Sequence, residues 1–275
     1  MKISYQNNGV TVFESELMCT TCTLIERADH LLLVDPNWLP SEVAFIAQEV
    51  ERRRGDRELY LLFTHSDYDH IIGYERFRGS AKIIASEALL INDQGDDQLQ
   101  EIRKFYDQYY LPVPWPITYP READIRIAKG SEELLIGATR YRFFQAPGHN
   151  PDGIITFLPD AGILIAGDYL CAVEFPFIYH SVEAYQNTIN CLQDLIERET
   201  VSLLITGHGP IATDQTELEE RCHRAQWYLS HLVAYGKKGV LFPEEQLWQL
   251  YPNYPIIQGK FHLENLELAK RELRE

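Results

Sequence analysis

The densest set of reactive side chains in the sequence is Thr64-His65-Ser66-Asp67-Tyr68-Asp69-His70, with four imidazole or carboxylate groups inside six residues. Imidazole nitrogen and carboxylate oxygen are the donors that bind zinc, manganese and iron, so the chemistry this run points to is metal binding. Alternate residues of an extended segment project the same way, which lets His65, Asp67 and Asp69 converge on one side. His70 joins them if the chain turns into a helix there. Three more donors stand beside glycine, in Pro147-Gly148-His149, Gly167-Asp168 and Gly207-His208-Gly209. Glycine lets backbone turn tightly and come close to an ion. A lone His149 or His208 would ordinarily be a structural histidine. His30, His180, His223 and His231 lack any such context and read as packing or surface residues.

Each donor group follows a strand signal. Apolar, β-branched runs predict strands at Val10–Glu14, Thr21–Glu26, His30–Val34, 58–63, 133–136, 139–144, 153–158, 162–165 and 201–205. Between them, helical periodicity predicts helices at 41–53, 182–199, 213–238 and 263–274, and a polar helix-like stretch at 93–107. The donors therefore lie at strand ends, where a rigid scaffold can hold a preorganised site. Residues 88–121, rich in proline and aromatics, read as an ordered excursion or lid, and 213–275 as a helical C-terminal extension of a single domain spanning 1–275. Strand-rich halves with helices predict an α/β fold, a four-layer αββα sandwich.

Composition narrows the function. Forty-one acidic residues against 25 basic ones give a formal charge of −16, which repels phosphate backbones and anionic lipids. Nucleic acid and membrane are excluded as partners on that ground. No apolar run is long enough to span a bilayer, and the polar start Met1-Lys2-Ile3-Ser4-Tyr5 is unlike a signal peptide, so the expected compartment is the cytoplasm. Five scattered cysteines argue against a disulfide framework. Cys19-Thr-Thr-Cys22 has redox-motif spacing but runs into a strand rather than opening a helix, so it reads as buried strand residues.

The ordered donors resemble the metallo-β-lactamase superfamily, whose signature runs His-x-His-x-Asp-His, then a later His, an Asp and a final His. The likeness extends from Asp35 to His208, and every position but one matches. The resemblance implies that His65 and His149 ligate a first metal, that Asp69, His70 and His208 ligate a second, and that Asp168 bridges both. It implies that Asp35 orients a ligating group from behind. The departure is Asp67, where the signature has histidine. It can still ligate the first metal, but three carboxylates around two divalent ions leave about +1, against about +2 with histidine. Zinc is the first expectation for the two ions, with manganese or iron favoured by the harder donor.

With two metals the implied activity is hydrolysis by a hydroxide held between them, oriented by Asp69, on a small ester, thioester, lactone or phosphoester. Tyr109 and Trp115 from the excursion, Phe175, Phe177 and Tyr179 after Asp168, and His262 near the C-terminus are the candidate substrate contacts. The same aromatics would alternatively form a homodimer contact. Two other classes stay open: a di-iron oxidoreductase of the same fold, since flavodiiron proteins also carry a carboxylate at the second signature position, and an inactive binding or regulatory member. The chain resembles glyoxalase II-like thioesterases in its helices after the last motif, but shows no basic glutathione-binding set beyond Lys237-Lys238.

Overall fold

The structure is a computed structural model that describes residues 1–128 and 130–274. The chain divides into two compact units, Met1–Gln145 with Asp152–Asp160, and Ala146–Pro151 with Ala161–Glu275.

The first unit is built on a seven-stranded sheet of β1 (Lys2–Asn7), β2 (Val10–Glu14), β3 (Thr21–Glu26), β4 (His30–Val34), β5 (Glu58–Leu62), β6 (Lys82–Ser86) and β7 (Ile125–Ile127), in that spatial order. The meander β1–β4 is antiparallel and β4–β7 are parallel. Parallel pairing requires crossovers. Helix α1 (Pro40–Arg54) makes the first, α2 (Tyr68–Ile71) and α3 (Tyr74–Phe77) lie in the second, and α4 (Glu87–Leu90) and α5 (Gly95–Gln108) in the third. Helix α1 starts at Pro40, and the Glu42 carboxylate reaches back to accept from the Leu39 N–H at 3.2 Å. Its last turn carries Arg52, Arg53 and Arg54, which complement the negative helix end.

Its apolar stripe, Val43, Ile46, Ala47 and Val50, packs on Leu31, Leu33, Leu59, Leu61 and Phe63 of the sheet. Each fully buried side chain of this size contributes about 1.5–3 kcal/mol. The opposite face, with Ile25, Leu32, Leu62 and Ile84, is equally buried, which is why these strands read as unbroken apolar runs. Across it, the His30 imidazole hydrogen-bonds the Tyr141 hydroxyl at 2.7 Å. Tyr141 belongs to an antiparallel ladder of β8 (Ser131–Ile136), β9 (Thr139–Gln145) and β10 (Ile154–Leu158).

In the second unit, β11 (Ile163–Ile165) and β12 (Leu203–Ile205) pair in parallel through the crossover helix α6 (Val182–Arg198). Helix α7 (Gln215–Lys238) is capped by Asp214, whose carboxylate accepts from Thr216 N–H and Glu217 N–H, and ends at Gly239 in the left-handed region. Helices α8 (Glu244–Leu250) and α9 (Pro255–Leu273) complete the unit.

Three strands escape the sequence reading. The polar β1 is an exposed edge strand, and β6 and β7 lie on either side of the 88–121 excursion, with β6 running directly into α4. Helix α9 begins at Pro255, well before the expected 263, because proline at the first helical position starts a helix where it was read as loop. Segment 88–121 is ordered and anchored: Leu89, Leu90, Ile102, Tyr106 and Tyr119 are buried in the core of the first unit. Among the described residues, no helix is long and apolar enough to cross a membrane.

Candidate metal centre

In the first unit the donors stand just past β5, where the backbone turns from extended into α2. Behind them is Asp35 at the end of β4, a buried residue with φ +49°, a conformation a non-glycine residue adopts at some cost. Its carboxylate accepts from Thr64 N–H at 2.9 Å, from the Thr64 hydroxyl at 2.5 Å and from His70 Nδ1 at 2.9 Å. A carboxylate only accepts, so His70 carries its proton on Nδ1 and a lone pair on Nε2. The Thr64 proton is committed to Asp35, so Thr64 Oγ1, 3.0 Å from His65 Nδ1, is the acceptor there. His65 is thereby fixed in the same tautomer.

Both Nε2 atoms face carboxylates, His65 toward Asp67 Oδ2 and His70 toward Asp69 Oδ2, each at 3.6 Å. Asp67 occupies the N-cap of α2, yet its side chain makes no cap bond to the helix and turns to His65 instead. Between Asp67 and Asp69, burial and those two carboxylates push the Tyr68 phenol up, so it remains a neutral hydroxyl.

Asp152, which sequence reasoning missed, holds this loop from below. Its carboxylate accepts from Ser66 N–H and from the Asn92 amide, both at 3.1 Å, and its backbone carbonyl accepts from Ser86 Oγ at 2.6 Å. Burial raises its carboxyl above the usual range. Its one sequence signal is a place two residues before β10, indistinguishable there from an ordinary turn aspartate.

In the second unit, His149, Asp168 and His208 come from three loops. Gly148, with φ +135°, passes so close to Tyr185 of α6 that a Cβ would lie 2.4 Å from its Cα, so only glycine fits. His149 N–H donates to the Tyr169 hydroxyl at 3.0 Å, and His149 Nδ1 donates to the Phe177 carbonyl at 2.8 Å, which leaves Nε2 with the lone pair. Gly167 turns in the left-handed region, and its carbonyl accepts from Gly207 N–H at 2.7 Å, tying the Asp168 and His208 loops together. Asp168 Oδ2 lies 3.4 Å from Nε2 of both His149 and His208.

These features fit a metal. An imidazole lone pair and a carboxylate lone pair repel unless a cation or proton lies between them. Two ligands of one tetrahedral zinc, each about 2.0–2.1 Å from it, sit roughly 3.3 Å apart, near the 3.4 and 3.6 Å spacings here.

The Phe177 carbonyl that orients His149 is itself held by α9. Asn265 accepts from Ile178 N–H at 3.0 Å and donates to the Pro176 carbonyl at 2.7 Å and to the Tyr228 hydroxyl at 2.9 Å. The Tyr228 hydroxyl also lies 3.0 Å from His262 Nδ1. Of the expected substrate contacts, Phe175 and His262 are packed with Tyr228 and Trp248 in the core of the second unit, and burial holds the His262 imidazole down at about 4. Phe177 is buried, whereas Tyr179 is 45 % exposed with its ring 5.0 Å from that of His149. In the first unit Trp115 packs half-buried against the core, and Tyr109 is exposed at the mouth of a cavity.

The family model described as "Metallo-beta-lactamase superfamily" matches residues 20–220. A hydroxyacylglutathione hydrolase of Brucella ovis is 24% identical over 167 residues, which are 60% of this chain and 53% of that protein. The chain thus spans about half the length of the curated relatives it matches. A metallo-β-lactamase family protein from Thermus thermophilus superposes with a TM-score of 0.62 at 18% identity, covering 96% of this chain and 92% of that one. The sec-alkylsulfatase Pisa1 of Pseudomonas sp. gives 0.63 at 14% identity, over 83% of this chain and 42% of that one. At these identities the likeness carries the fold, and the α/β fold class expected from the sequence agrees with it.

Proposed function

This chain belongs to the metallo-β-lactamase superfamily, and from that premise we propose that it is a metal-dependent hydrolase of small esters, thioesters, lactones or phosphoesters. The observation that carries the proposal is the fixed tautomer of His65, His70 and His149, each with its Nε2 lone pair directed at a carboxylate. Following the family's order of motifs, His65, Asp67 and His149 are assigned to one ion and Asp69, His70 and His208 to the other, with Asp168 shared. When bound, a pair of divalent cations would supply Lewis acidity and a lowered pKa for water.

The chain's own residues do the rest. Asp35 keeps the proton on His70 Nδ1, and through Thr64 on His65 Nδ1, so that neither ring can rotate or switch tautomer. Phe177 does the same for His149. Asp69, beside His70, is assigned to accept a hydrogen bond from the attacking water and hold its proton at a carboxylate oxygen. The formal charge of −16 supports a small molecule, rather than a nucleic acid, as the partner.

A second reading, a di-iron oxidoreductase, is favoured by one feature: Asp67 offers a carboxylate where a softer imidazole is usual, 3.6 Å from His65 Nε2. Hydrolysis of an ester, thioester, lactone and phosphoester panel, with and without a chelator, separates the two. Chelator-sensitive turnover of any member supports the hydrolase. No turnover by protein carrying its metals would overturn it.

A further inference from the structure

Beside the metal-ligand run, wholly within the first unit, lies a cavity of about 600 Å³. That is within the range of small-molecule sites. It is backed by the buried Trp38, whose indole N–H donates to Thr20 Oγ1 at 2.8 Å. The indole supports the half-buried rings that line the cavity, 4.6 Å from that of Phe105 and 5.2 Å from that of Tyr68, centroid to centroid. Tyr68 joins the cavity to the chemistry, since it is flanked by Asp67 and Asp69 in the chain. The lips are apolar and solvent-facing, with Met18 40% and Tyr109 58% exposed. Exposed apolar groups around a concave aromatic floor are a marker of ligand contact.

Charge decides what kind of group fits. The cavity's charged lining residues are Glu101 and Lys104, successive on one face of α5, and they neutralise each other in an ion pair of 2.5 Å. The lining therefore carries a single cation, exposed and shared with a carboxylate, on a chain whose formal charge is −16. An anionic tail, such as the carboxylates of a glutathione thioester, meets one exposed ammonium group already paired with Glu101 and gains little. An uncharged alkyl or aryl chain gains the removal of its own surface, and that of the lips, from water.

We propose that this cavity is the subsite for the uncharged apolar arm of the substrate, with Tyr68, Phe105 and Tyr109 setting specificity for a hydrophobic acyl or alkyl group. The assignment rests on the hydrolase reading above, which places the reacting bond at the donors flanking Tyr68. It narrows that reading to substrates with a hydrophobic chain, and the relatives' names alone would not select these.

The test uses Gln108, exposed at the rim on the last turn of α5. Gln108→Trp places an indole across the mouth without touching the core, and Gln108→Ala is the unobstructed control. Octanamide and acetamide, uncharged and unreactive, are titrated into the purified protein while tryptophan fluorescence is followed. Ethyl octanoate and ethyl acetate turnover is followed by pH-stat. The expected result is octanamide binding far tighter than acetamide, weakened tenfold or more by Gln108→Trp and unchanged by Gln108→Ala. The octanoate-to-acetate ratio of kcat/KM should fall by a similar factor in Gln108→Trp alone. Octanamide binding that is absent or indifferent to Gln108→Trp, with both esters hydrolysed equally, would overturn the subsite and leave the hydrolase intact. Octanamide binding with the expected variant effects but no turnover of either ester, nor of any member of the thioester, lactone and phosphoester panel, would support the cavity and remove the hydrolase.

Discussion

Asp35→Asn separates what the buried carboxylate does for the fold from what it does for the metal. The φ of +49° at this position suits asparagine as well as aspartate, so the backbone is not disturbed. The amide oxygen can still accept from Thr64 N–H, 2.9 Å away in the native structure. The amide nitrogen must then face Thr64 Oγ1 and His70 Nδ1, where it can only donate. His70 is forced to give up the Nδ1 proton and carry it on Nε2, where the metal lone pair was. Loss of such an orienting partner costs about 10–100-fold in metal affinity, or roughly 1.4–2.8 kcal/mol. Stability should change far less, because the buried donors keep partners. Asp35→Ala is the contrast: it leaves Thr64 N–H, Thr64 Oγ1 and His70 Nδ1 without their acceptor, at about 1–3 kcal/mol each. Metal affinity is read by titration against a chromophoric chelator, the tautomer by nitrogen shifts of the imidazole, and stability by urea unfolding. An Asp35→Asn protein that binds metal as tightly as the parent would refute the reasoning, as would one that loses stability as badly as Asp35→Ala.

Other perturbations follow from the same geometry. Asp67→His adds about one positive charge to the site and restores the family's donor; metal affinity should rise and the acid limb of any pH–rate profile should move to lower pH, which steady-state kinetics across pH 5–9 would read. Asn265→Leu removes the acceptor of Ile178 N–H and the donor to the Pro176 carbonyl. Stability should fall by about 2–5 kcal/mol, and metal affinity with it, because the Phe177 carbonyl that fixes His149 is no longer held; urea unfolding and chelator competition check the two effects. His262 is buried and its folded pKa lies at about 4, below the 6.5 of the unfolded chain. The unfolded state therefore binds the extra proton between those values, and stability falls as pH drops from 6.5 to 4, by at most about 3 kcal/mol. His262→Phe should flatten that part of the urea-midpoint profile, and an unchanged slope would contradict the assignment.

The local structure of both donor sets was legible because its signals are local. Strand β4 and the helix that follows it show as an unbroken apolar run and then a clean helical stripe, and each glycine beside a donor is a residue type with a physical job. What could not be read depends on neighbours remote in sequence. Asp152 is an ordinary turn aspartate until Ser66 and Asn92 are brought to it. Asn265 is a helix residue until the Pro176–Ile178 carbonyl and amide groups appear opposite it. The aromatics of residues 88–121 resist sequence reading for the same reason. Tyr106 and Tyr109 are three residues apart on one turn, and only tertiary packing sends the first into the core and the second to the lip of a cavity. Composition identified the aromatic class of residue without telling floor from core.

The most direct test of the central claim is the metal content of protein purified without added metal or a nickel column, taken by elemental analysis together with an absorption spectrum. About two equivalents of zinc or manganese per chain are expected, falling when Asp168, shared by His149 and His208 at 3.4 Å, is replaced by alanine. Near-stoichiometric iron with visible absorption would transfer the site to oxidoreductase chemistry. A folded chain that retains no metal even after metal is added back would rule out a metal centre at these residues.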